Sequence, residues 1–297
     1  MRKVEKISKN YQNGYHETKR HADIMFAYNV YPCTIPQDFS FVPLHWQDSF
    51  EIIYVKRGMG RVQVDFDMFQ ADAGDIFIVP PGHLHGLRGL EDYRMEYENI
   101  IFDMDFLSGA VLDNCSQKYL QPMLEGRLYF PVWIGNNHEM HGVLSSCLDA
   151  ADVLMSQRGQ GYELGVKGNL LLFFSGLFQI AMPKDEEVSD NKSMEKIKMV
   201  LAYMEDHYGQ KITVEDAAAE CGYSASHFMR WFKEMTGTKF GSYLIELRLE
   251  KAARTLRTTE ETVLEVAGKT GFNNLSNFNR LFKKKYGITP SEFRKKL

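Results

Sequence analysis

Between residues 212 and 294 apolar positions recur at helical spacing, and they do so twice with the same offsets. Phe228, Trp231 and Phe232 fall at i, i+3 and i+4, as do Phe278, Leu281 and Phe282. Each trio predicts the buried face of one helix. Aligned on the shared Phe-x-Arg-x-Phe-Lys, the copies lie 50 residues apart (228 to 278). A short helical pattern and a Gly-aromatic turn precede each helix: Ala217 to Glu220 then Gly222-Tyr223, and Val266 to Lys269 then Gly271-Phe272. The reading is helix, turn, helix, written twice. The face opposite the aromatics is polar, with Ser226, His227, Met229, Arg230 and Lys233 in one copy. Ser276, Asn277, Asn279, Arg280 and Lys283 occupy it in the other. Such a face suits a DNA major groove about 12 Å wide; on one copy alone it reads equally well as a solvated face of a helical bundle.

Capping signals set the helix starts. Thr213-x-x-Asp216, Thr262-x-x-Glu265 and Thr289-Pro290-Ser291-Glu292 each place a hydroxyl three residues before an acid. Between the copies, Ile245, Leu249, Ala252, Ala253 and Leu256 predict one long helix over 240–256 that fixes the distance between the two readers.

The pattern changes in the first half. From Phe26 to Phe102 short β-rich runs alternate with Gly, Pro and Asp turns, which predicts an antiparallel barrel or sandwich. Helical periodicity returns beyond Trp133, with helices predicted over 140–155 and 163–182. The second is apolar on most sides (Leu170 to Phe174, Leu177, Phe178), so it is buried either on its own domain or against another subunit. A polar run from Pro183 to Ser193 reads as a linker, and residues 1–20, with Tyr11 and Tyr15, as an arm or a disordered end.

A length of 297 residues suggests about two domains. The net charge of −4 argues against nucleic acid until the chain is split. Residues 195–297 hold 18 Lys+Arg against 13 Asp+Glu, and the remainder 17 against 26, so the second half alone is basic. Cys33, Cys115, Cys147 and Cys221 are scattered without a Cys-x-x-Cys pair, which predicts reduced thiols in a cytoplasmic protein. The start of the chain lacks the apolar core of a signal peptide, and the longest apolar-rich run, Leu170 to Met182, is too short to span a bilayer.

Gly222-Tyr223-Ser224, Phe232-Lys233, Arg248-Leu249, Gly271-Phe272, Phe282-Lys283 and Gly287-Ile288-Thr289-Pro290-Ser291 together resemble the DNA-binding domain of the AraC/XylS family of bacterial transcription regulators. The resemblance implies two recognition helices in successive major grooves. In the first half, His45-x-Gln47-x3-Glu51-x6-Gly58 and Gly74-x5-Pro80-x-Gly82-x2-His85 resemble the two cupin motifs, which implies the effector-sensing domain of such regulators. The expected fold is therefore α+β: a cupin-like antiparallel β-barrel over 1–135, a helical dimerisation segment over 136–182, a linker over 183–194 and an all-α double helix-turn-helix over 195–297. Double-stranded DNA, a small-molecule effector, RNA polymerase and a second copy are the expected partners.

Metal-binding cupins carry His, His, Glu and His where this chain has His45, Gln47, Glu51 and His85. An amide is a poor ligand for a transition metal, so the expectation is a ligand site with no metal and no other cofactor. The mixed donors and acceptors suit sugar hydroxyls, with Trp46, Phe50 or Tyr54 as stacking candidates. Arg61, Gln63 and Asp65 have no side assigned by the pattern, and the two histidines read alternatively as ordinary hydrogen-bonded barrel residues. No catalytic residue is expected. A cupin enzyme with an accessory DNA-binding domain, or a DNA binder without effector, are the alternatives.

Overall fold

The computed structural model describes residues 16–17, 26–38, 41–90, 93–107, 113–125, 127–183 and 189–295. The expected arm, apart from 16–17, and linker residues 184–188 lie outside them. The chain divides into two compact units between Glu187 and Val188.

The N-terminal unit is built on strands β1 (His16–Glu17), β2 (Tyr28–Ile35), β3 (Phe41–Gln47), β4 (Phe50–Val64), β5 (Asp67–Asp72), β6 (Ile76–Val79), β7 (His85–Gly89) and β8 (Met95–Phe102). A short helix α1 (Gln121–Leu124), strands β9 (Leu128–Tyr129) and β10 (Trp133–Ile134), helices α2 (His141–Gln157) and α3 (Tyr162–Leu177) and strand β11 (Met182–Pro183) complete it. The long strand β4 belongs to two ladders. Its first part pairs with β6 and β8, and its second part with β5 and β7. The change falls at a register shift between Val55 and Arg57, followed by Gly58 at φ +74°. Only glycine fits there, because a Cβ would stand 1.7 Å from the Arg94 carbonyl oxygen.

The sequence predicts a barrel, and the described strands correct that detail: they form a nine-stranded sheet that does not close. Its ends run out in β1 and β10, two residues each, too short to carry the ladder around. The two parts of the bent sheet nonetheless face one another over a shared core of Cys33, Ile35, Ile53, Val55, Val62, Val64, Phe77, Leu87, Met95 and Tyr97. Strand alternation sends Phe50, Ile52, Tyr54, Ile100 and Phe102 to the other face, where they pack on Leu144, Leu148, Leu170, Phe173, Phe174 and Leu177 of α2 and α3. Most of the apolar surface of α3 is thus covered by its own domain, while Leu164, Leu171 and Leu172 remain exposed.

The C-terminal unit contains α4 (Ser189–His207), α5 (Val214–Glu220), α6 (Ala225–Thr236), α7 (Phe240–Thr258), α8 (Val263–Lys269), α9 (Leu275–Tyr286) and α10 (Pro290–Lys295). Part of the polar run read as linker is therefore helical, since α4 opens at Ser189. Capping boxes at Thr213–Asp216 and Thr262–Glu265 start α5 and α8, and hydrogen bonds between Thr289 and Glu292 start α10. Backbone and hydroxyl donors of Thr213 and Thr262 hold the Asp216 and Glu265 carboxyls below their ordinary range.

The long helix α7 is buried on a stripe that shifts along its length. Phe240 and Tyr243 meet Phe228 and Phe232 of α6, whereas Leu249, Ala252, Ala253 and Leu256 join Phe278 and Phe282 of α9. One helix thus serves two cores, and Ile245 and Leu281 are only partly buried. Phe232→Ala is expected to cost about 3–5 kcal/mol, the usual range for emptying a buried Phe site. In a calorimetric scan of the full chain this lowers the C-terminal unit's transition alone; an unchanged transition would refute the burial assignment.

Candidate effector site and nucleic-acid interface

In α6, Phe228 and Phe232 are completely buried while Ser226, His227, Met229, Arg230 and Lys233 are exposed. In α9, Phe278 and Phe282 are buried while Ser276, Asn277, Arg280 and Lys283 are exposed and Asn279 is half-buried. Both helices start alike. The Ser224 hydroxyl accepts from the His227 amide, and the Asn274 side chain from the Asn277 amide. Both also end alike, at Gly237 and Gly287 in the left-handed conformation. The Arg280 guanidinium donates to Asn277 Oδ1 across one turn at 2.8 Å, which holds both side chains on the outward stripe. Each face offers cationic and amide groups of the kind that contact phosphates and base edges.

In the N-terminal unit, His45 and Gln47 come from β3, Glu51 from β4 and His85 from β7. Paired strands bring them together, with His45 opposite His85 in the ladder. All four are buried, Glu51 at 1% exposure and His85 at 0%, so the carboxylate depends on protein donors. Gln47 Nε2 donates to Glu51 Oε2 at 2.7 Å, and His85 Nε2 lies 3.0 Å from the same oxygen. The imidazole rings of His45 and His85 stand 4.1 Å apart.

Hydrogen-bond logic fixes more. Each histidine turns Nδ1 to a main-chain carbonyl, His45 to Pro43 at 2.9 Å and His85 to His83 at 3.1 Å. A carbonyl only accepts, so both Nδ1 atoms carry hydrogen and both Nε2 atoms face the interior. The His85–Glu51 contact then needs one proton between Nε2 and Oε2. Among the described residues the Gln47 Oε1 acceptor has no hydrogen-bond partner. One ligand atom from each of His45, Glu51 and His85 lies within 4.8 Å of the others, so these three could also hold a metal ion.

The interior holds a further polar residue that the motif spacing does not mark. Asn99 projects from β8 opposite Ile53, 4% exposed, and its Oδ1 has no hydrogen-bond partner among the described residues. On the adjacent β2, Tyr31 pairs with Asn99 and Cys33 with Tyr97, and burial pushes the Cys33 thiol up to about 12. An Asn among alternating Met95, Tyr97 and Ile101 was the available signal. Two stacking candidates are corrected, because Phe50 and Tyr54 face the helices rather than the interior. Gln63 donates to the Asp65 carbonyl, and Asp65 accepts from His83 and the Leu84 amide. Arg61 is exposed, on the alternation opposite the core residues Val62 and Val64.

These two sites define a DNA-binding transcription regulator that carries a separate ligand-binding domain. Residues 210–296 match the helix-turn-helix domain family, and residues 34–174 match the AraC-like ligand binding domain family. Over 281 residues, covering 94% of this chain and 95% of the relative, the chain is 25% identical to the uncharacterized HTH-type transcriptional regulator YdeC of Bacillus subtilis. It is 40% identical over 99 residues to the transposon Tn10 TetD protein of Escherichia coli, covering 33% of this chain and 72% of that protein. With the HTH-type transcriptional activator RhaS of Escherichia coli it shares 24% identity over 85% of this chain and 87% of the activator. The chain belongs to the AraC/XylS family of transcriptional regulators.

Replacing Arg230 or Arg280 by Ala should weaken binding to a DNA site selected by the protein by about 1–3 kcal/mol each and relax base preference. Equal losses on selected and random duplexes in a fluorescence titration would reassign that arginine to phosphate.

Proposed function

We propose that this regulator responds to a small, uncharged, polyhydroxylated effector, a carbohydrate, taken up by His45, Gln47, Glu51 and His85. The observation that carries the reading is a buried donor–acceptor set in which the amide oxygen of Gln47 has no partner among the described residues, with a second buried amide oxygen in the same state on Asn99. Sugar hydroxyls donate and accept, so they satisfy both amide oxygens and replace the internal bonds of Glu51 without moving net charge inward. Ser226, His227, Met229, Arg230 and Lys233 read one major groove, and Ser276, Asn277, Asn279, Arg280 and Lys283 read the next. The exposed Leu164, Leu171 and Leu172 of α3 support a homodimer through the helical segment, which matches a repeated DNA site. Binding beside a promoter would bring RNA polymerase within reach. No described helix is long and apolar enough to cross a membrane, which suits a cytoplasmic regulator. The chain acts by binding and is not an enzyme.

One observation favours a second reading. Both Nε2 atoms are presented inward by Nδ1–carbonyl hydrogen bonds, the arrangement that orients metal-bound histidines. Elemental analysis and a melting series over neutral sugars separate the two. The effector reading expects substoichiometric zinc, iron and manganese after purification without added metal. It also expects one sugar to raise the melting temperature of the N-terminal unit in the presence of a chelator. Gln47→His should gain metal affinity by completing the ligand set. One tightly bound transition metal per natural chain, with no sugar response, would overturn the effector reading in favour of the metal.

A further inference from the structure

We infer that Arg248 is the positioning residue that locks the two DNA readers into one groove-to-groove register. This inference rests on the two-groove reading above. Three segments of the C-terminal unit meet at its guanidinium. Nε donates to the Tyr208 carbonyl at 2.8 Å and Nη2 to the Gln210 carbonyl at 2.7 Å, both just beyond the C-terminus of α4. Those carbonyls are among the acceptors that a helix end and the turn after it leave unmet, so the fork satisfies two at once. The α4 helix packs with α5 and therefore travels with the first reader.

The second reader is fitted to the same point. Gly271, in the turn between α8 and α9, has φ +81°. A Cβ there would lie 2.6 Å from the Tyr208 carbonyl oxygen and 2.8 Å from Arg248 Cζ. A Cβ on Gly209 would lie 2.5 Å from the Lys269 carbonyl oxygen. Backbone thus touches backbone where the α4 terminus meets the α8–α9 turn, with the Arg248 side chain beside both. Neighbouring positions of α7 hold the same two partners: Lys251 is ion-paired with Glu205 of α4, and Glu250 accepts from Tyr286 of α9 at 3.2 Å and lies 3.3 Å from Lys285 Nζ.

An apolar core fixes that α6 and α9 each pack on α7, but such contacts tolerate sliding by fractions of a residue. The Arg248 fork does not slide, because both bonds are directional and both acceptors are main chain. Over the 19 residues of α7, about 28 Å, a small rotation at the middle displaces one recognition helix relative to the other. Successive major grooves recur every 34–36 Å or so, and one inserted base pair shifts the second by about 3.4 Å and a tenth of a turn. Loss of the fork therefore changes how strictly spacing is read, without changing which bases are read.

The test uses the full chain and a duplex selected by it from a random pool, with one base pair inserted or deleted between the two contacted boxes. The natural protein is expected to lose about tenfold or more in affinity on either change, the scale of one mismatched position. Arg248→Ala and Arg248→Lys, checked for an unchanged melting profile, should bind the selected duplex less tightly and lose several-fold less on respacing. Lysine fails with alanine because it has no fork. The salt dependence should keep its slope, since Arg248 is spent on carbonyls; a phosphate contact would lower the slope by about one. Gly271→Ala gives a second approach from the other side of the contact and should also flatten the spacing penalty. If the folded variants lose affinity equally at every spacing, or lose salt slope, the register role is overturned. If the natural chain itself ignores spacing, the two-groove reading falls first and the inference with it.

Discussion

The C-terminal unit depends on burying two phenylalanines four residues apart, once in α6 and once in α9. With Phe228 and Phe232 on one side and Phe278 and Phe282 on the other helix's matching side, each helix has only one face left for solvent. What lies on that face is mostly polar, Ser, His, Asn, Arg and Lys, with Met229 as the apolar exception. Because the Phe pairs pack on different halves of α7, the long helix holds two separate readers at one separation. Left-handed glycines at 222, 237, 271 and 287 and capping hydrogen bonds at Thr213, Ser224, Thr262, Asn274 and Thr289 then fix the ends of the recognition helices and the starts of their neighbours.

The N-terminal unit answers a different constraint. A carboxylate that is 1% exposed must be matched by donors, and Glu51 takes its donors from Gln47 on β3 and His85 on β7. That requirement ties together strands from both parts of the bent sheet. The bend at Gly58 lets one strand feed both ladders and brings the two parts of the open sheet over one core. On the opposite face of β4, Phe50, Ile52 and Tyr54 anchor α2 and α3, so the polar interior and the helical layer share one strand. Glu51 and the residues that anchor α3 thus alternate along the same strand.

The C-terminal unit was almost wholly legible in the sequence because helical periodicity, caps and turns are local signals, and duplication doubled them. The cupin-like spacing likewise pointed to four residues that the sheet brings together, since motif spacing reflects strand length. What was not legible depends on long-range geometry. The open sheet follows from the brevity of β1 and β10, which no local pattern marks. The outward faces of Phe50 and Tyr54 follow from the register of β4, and a one-residue change of phase would have reversed them. The role of Asn99 needed strand pairing across 46 residues to Ile53. The start of α4 at Ser189 was hidden by a polar composition that suits a linker and a helix start equally well.

As proposed above, one chain presents two equivalent recognition helices to one face of a duplex. Methylation interference on a selected site tests it most directly, because guanine N7 lies in the major groove. Two clusters of interference per chain are expected, about 10 base pairs apart on the same face, one lost with Arg230→Ala and the other with Arg280→Ala. A single cluster, or two clusters on opposite faces, would contradict it.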